Sequence, residues 1–129
     1  MTYYFSKKIE GKSFNDSIQY VKQALQSEGF GVLSEINIAA TLKAKLDIDF
    51  KNYVILGACN PPFAHRALAI EEKIGVFLPC NVIVVETQPG VIEVSAVDAV
   101  ASMMAVQNPQ LTEVATAIQQ KLQNVMNNL

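Results

Sequence analysis

Residues 57–81, GACNPPFAHRALAIEEKIGVFLPCN, gather both cysteines of the chain, its only histidine and three of its five prolines. Three kinds of chemistry fit those residue types. Cys59 precedes an expected helix start, where unpaired N–H groups carry partial positive charge and favour a thiolate nucleophile. Its natural base is His65, but that side chain lies about 9 Å along the same helix at ~1.5 Å per residue. A Cys–His dyad would therefore have to be completed by a second copy of the chain. Cys59, His65 and Cys80 also form a Cys₂His donor set which, with a water, would suit zinc. No CxxC or HxxxH pair accompanies them, so the spacing adds little to that reading.

The third chemistry is recognition of a small ligand. Asn60-Pro61-Pro62 opens a helix whose N-terminus can receive an anion, although each proline removes one donor. His65 and Arg66 on that helix would add positive charge for a carboxylate or phosphate. A pocket walled by Cys59, Asn60, His65 and Cys80, with Arg66 beside it, is the first functional expectation; a thiol- or zinc-dependent enzyme is the alternative. Each residue also has an ordinary structural use. Free cysteine packs as a small hydrophobe, Asn60 can cap a helix, and Asn81 and the prolines suit turns.

The elements that must position these residues are legible from pattern. TYYFSKKI, residues 2–9, is rich in strand formers. Ser13 and Asp16 resemble a capping box. Phe14, Ile18, Val21 and Leu25 then share one helical face, and Gly29 stands where a left-handed terminator is wanted. Residues 30–36 read as a strand with a wetter face and 38–46 as a short helix. YVILGA, residues 53–58, is an apolar strand covered on both faces. Asn60 caps the next helix, 61–73, which Gly75 closes. NVIVVET (81–87), a Gln88-Pro89-Gly90 turn of type II chemistry and VIEVSAV (91–97) make a hairpin. Asp98 caps a short helix through Met104. Asn108-Pro109 starts the last helix, whose apolar stripe is Leu111, Val114, Ile118, Leu122, Val125 and Leu129.

This order, β-α-β-β-β-β-α with short inserted helices, predicts an α+β fold: an antiparallel five-stranded sheet with two long helices on one face. Two helices cover only one face, so the inserts or a second copy must shield the other. At 129 residues, half of them hydrophobic, the chain is expected to be a single domain over 1–129. The net charge of −2 and scattered lysines lack the basic stripe of a nucleic-acid binder. No 18-residue apolar run or signal-peptide layout is present, so no membrane association and a cytoplasmic location with free thiols are expected. There is no GxGxxG, P-loop or GxSxG motif.

The segments YVILGACNPPFAHRAL and IGVFLPCNVIV carry a Gly-x-Cys-Asn-Pro pattern, an Ala-His soon after, and Leu-Pro-Cys-Asn before an apolar strand. Over about residues 35–97 the chain resembles the prokaryotic family known as domain of unknown function 302. The resemblance implies a strand-helix-four-strand-helix layout like half of the TATA-binding protein, and homodimers. It implies no activity, and a shared layout does not carry DNA binding with it.

Overall fold

Alternating apolar residues on three of the five strands supply most of one buried sheet face. The computed structural model describes residues 2–129. The strands are β1 (Tyr4–Ile9), β2 (Gly31–Asn37), β3 (Tyr53–Cys59), β4 (Cys80–Gln88) and β5 (Val91–Val97). They form one sheet in the order β1-β5-β4-β3-β2, with every neighbouring pair antiparallel. Val54, Leu56 and Ala58 of β3, Val82 and Val84 of β4, and Ile92, Val94 and Ala96 of β5 are buried.

Two long helices cover that face, α1 (Phe14–Ser27) and α5 (Thr112–Asn127). They present Ile18, Val21 and Leu25, and Val114, Ile118, Leu122 and Val125, all buried. The helices touch each other; α1 packs on β4, and α5 on β1 and β5. Burying a leucine of this kind contributes about 1.5–3 kcal/mol, so Leu25, Leu56 and Leu122 are among the anchors of the core. Shorter helices fill the connections: α2 (Ile38–Leu46), α3 (Pro61–Ile70) and α4 (Ala99–Met103). The α+β layout expected from the pattern is therefore the one observed.

Several boundaries differ for local reasons. Ser13 Oγ does accept from Asp16 N at 3.1 Å. Gly29 does take a positive φ, 86°, with Phe30 N bonding back to Leu25 O at 3.0 Å. Helix α3, however, ends at Ile70 rather than 73. Glu71 is extended, and a separate 3-10 segment, Glu72–Phe77, contains Gly75 instead of ending there. Asn108 and Pro109 start a 3-10 turn, and the α-helix begins only at Thr112.

The opposite sheet face carries a lateral row, Ser6, Ser95, Ile83, Ile55 and Ile36, in register across all five strands. Ser6 and Ser95 hydrogen-bond at 2.7 Å. Ile55 and Ile83 are half-buried and Ile36 is 46% exposed. No helix among the described residues is long and apolar enough to cross a membrane.

Candidate functional site

Strand pairing brings the two cysteines to one end of the sheet. Cys80, the first residue of β4, lies opposite Ala58 of β3. Cys59 follows Ala58 as the last residue of β3, opposite Gly31 of β2. Both line a cavity of about 330 Å³ together with Asn60. Phe30 and Ala58 line it from the sheet end, Ala64 from α3 and Ile118 from α5. Leu33, 71% exposed, and Leu68, 44% exposed, also line it. The wall is almost wholly apolar, and two apolar side chains stand open to water at its rim.

Within that wall Cys80 is only 7% exposed and Asn60 only 8%. Both thiols are free, Cys59 being half-buried. Burial pushes the Cys80 thiol up to about 11, and negative charge on Cys59 adds to the effect. At neutral pH Cys80 is therefore a protonated thiol, a poor nucleophile.

Asn60 occupies the cap position of α3 but does not cap with its side chain. Its Nδ2 donates instead to Glu28 O at 3.1 Å, at the turn where α1 gives way to β2. Glu28 Oε1 accepts from Asn124 Nδ2 of α5 at 2.9 Å. Glu28 thus ties the cavity wall, the end of α1 and the last helix together. The expected capping role of Asn60 is corrected accordingly: a buried amide must find a partner, and the nearby Glu28 carbonyl takes it.

His65 and Arg66 are not brought to this cavity. Both are exposed on α3, whereas Ala64 and Leu68, four residues apart on that helix, supply its share of the wall. The Arg66 guanidinium lies 3.7 Å from the Glu113 carboxylate and over the Phe63 ring. Cys59, Asn60 and Cys80 therefore line one cavity, while His65 and Arg66 face outward. Among the described residues no three His, Cys, Asp or Glu side chains gather as metal ligands. The Cys59–His65–Cys80 set for zinc is therefore not assembled within one chain.

The apolar wall was not singled out from sequence. Leu33 and Leu68 offered the available signal, as leucines off the buried stripe of their elements. Leu33 sits at a register shift between Val32 and Ser34 in β2, which no alternation rule locates. Gly57 is a further supporting residue. A Cβ there would lie 2.8 Å from Pro79 Cγ and collide with Ser34 Oγ, so only glycine lets the Pro79 segment approach β3 beside the cavity.

Residues 5–129 match the family profile described as Domain of unknown function DUF302. No curated protein matches the chain. Among solved structures the chain is similar to one described as the crystal structure of uncharacterized conserved protein DUF302 from Bacillus stearothermophilus. The two are 27% identical, superpose with a TM-score of 0.90, and cover 98% of each other.

Proposed function

The chain belongs to the DUF302 family, and from that premise we propose that it is a binding module for a small, largely apolar ligand. One observation carries the reading: Cys59, Asn60 and Cys80 converge on one apolar cavity whose rim is Leu33 and Leu68. Its volume, about 330 Å³, lies at the small end of the ~300–1,000 Å³ typical of ligand pockets. Free thiols on its wall suit a reducing compartment, which supports a cytoplasmic location. Thiol catalysis fits less well, because it needs a thiolate beside a base. Burial keeps Cys80 protonated, and His65 is turned outward.

The test is a neutral apolar dye, 1-N-phenylnaphthylamine, whose fluorescence rises on entering an apolar site. Wild-type protein should enhance it saturably. Ala64→Phe, which fills the cavity from α3, should abolish the enhancement while leaving the far-ultraviolet circular dichroism unchanged. Equal enhancement in the folded variant, or none in wild type, would overturn the proposal.

A second reading concerns assembly. The row Ile36, Ile55 and Ile83 on the face opposite α1 and α5 supports homodimerisation through the sheet. Beside it lies a shallow groove of about 450 Å³ lined by Tyr4, Tyr53, Asn81 and Glu93, among others. Contiguous apolar surface of this sort is commonly covered by a partner, and a second copy offers the same row.

A further inference from the structure

We propose that the cavity selects neutral ligands carrying a hydroxyl on a hydrocarbon body, with Asn60 Oδ1 accepting the hydrogen bond of that hydroxyl. This deepens the cavity reading above and rests on it. The first observation is the state of the amide. Asn60 is 8% exposed, and its Nδ2 donates to Glu28 O at 3.1 Å. A carbonyl oxygen accepts only from the NH₂ end of an amide, so that bond fixes which end is Oδ1. Oδ1 makes no capping bond to the start of α3, and the bond to Glu28 O is the one the Asn60 side chain makes among the described residues. Yet among those residues no side-chain oxygen or nitrogen is sealed from solvent without a partner. Oδ1 therefore opens onto accessible space, and the space that Asn60 lines is the cavity.

The second observation is what surrounds that oxygen. Among the described residues no charged side chain lines the cavity. Cys59 and Cys80 offer thiols, which are weak hydrogen-bonding groups, and the other lining side chains are hydrocarbon. One strong acceptor in such a wall is satisfied by a ligand donor and left unpaired by an ether or an alkane. A hydroxyl brings that donor and little else to satisfy. A primary amide would bring a carbonyl with no strong side-chain donor to meet it, and an ammonium a charge without a counter-ion. An anion fits no better. Pro61 and Pro62 remove two donors from the start of α3, His65 and Arg66 are exposed on that helix, and a carboxylate would meet Oδ1 acceptor to acceptor.

The experiment uses the full chain, reduced, with 1-N-phenylnaphthylamine bound as the reporter. Two isomers compete for the site: 1-octanol, which has a donor, and heptyl methyl ether, which has none. Octanol should displace the dye at about tenfold lower concentration than the ether, the scale of one buried hydrogen bond. Octanoate should compete no better than the ether. Equal competition by octanol and ether, or tighter competition by octanoate, overturns the proposal and leaves the cavity reading standing. Asn60→Leu should reduce octanol to the level of the ether, and a preference retained in the folded variant overturns the assignment to Asn60. That substitution also removes the bond to Glu28 O and can disturb folding, so the comparison of isomers on wild type gives an independent reading. No dye enhancement in wild type would remove the cavity reading and this proposal with it.

Discussion

Cys80 shows how far one buried group can tie stability to pH. An unperturbed thiol ionises near 9.0, and burial pushes this one up to about 11. The fold therefore favours the neutral form. The resulting stabilisation is complete below the unfolded value and is lost as pH rises from about 9 towards 11. A shift of that size corresponds to roughly 2–3 kcal/mol as an order of magnitude. The urea midpoint of wild type should fall steeply across this alkaline window. Cys80→Ala, already without the thiol, should show a shallower fall, and identical slopes would contradict the assignment. The same scale shows what could be read beforehand. Cys59, Asn60 and Cys80 were legible as a cluster because Cys59-Asn60 ends one apolar strand and Cys80 opens the next, and the two strands pair. His65 and Arg66 were not separable from them, because a helix turns successive residues by about a quarter-circle or more. Once Ala64 and Leu68 face the cavity, His65 points elsewhere, and only the tertiary docking of α3 reveals which face is inward.

At the scale of elements, the turn from α1 into β2 sets the cavity wall. Gly29 adopts φ 86°, and a Cβ there would lie 3.2 Å from Asn60 Nδ2. Gly29→Ala should lower stability by about 1–2 kcal/mol for the left-handed backbone alone, and crowding of Asn60 adds to it. Gly31→Ala is the comparison, since a Cβ there meets nothing within 4 Å; its urea midpoint should stay close to wild type. A Gly29→Ala protein as stable as Gly31→Ala would show that the turn carries no such constraint. Local punctuation of this type was readable: Ser13, Gly29, Asp98 and Asn108 all do what their residue types announce. The amide of Asn60 escaped because its partner, Glu28 O, is 32 residues away in sequence. Helix α3 stops early for a similar reason. Glu71 becomes extended and accepts from Asn108 Nδ2 at 3.2 Å, a contact with no trace in the local sequence.

For the whole molecule, the two faces of the sheet have different fates. One is sealed by α1 and α5. The other carries Ile36, Ile55 and Ile83 in a row and supports the proposed homodimer. Sedimentation equilibrium should find a dimer for wild type and a folded monomer for Ile83→Asp; a wild-type monomer, or an undisturbed dimer in the variant, would refute that interface. The strand order has a consequence in time as well as in space. Strand β1 pairs only with β5, and the nearest of these pairings joins Ile9 to Ile92. During synthesis at ~5–20 residues per second, β1 would therefore wait about 4–17 seconds for a partner, while β2, β3 and β4 can already assemble. Of these five strands, the first to be made is among the last to find its place.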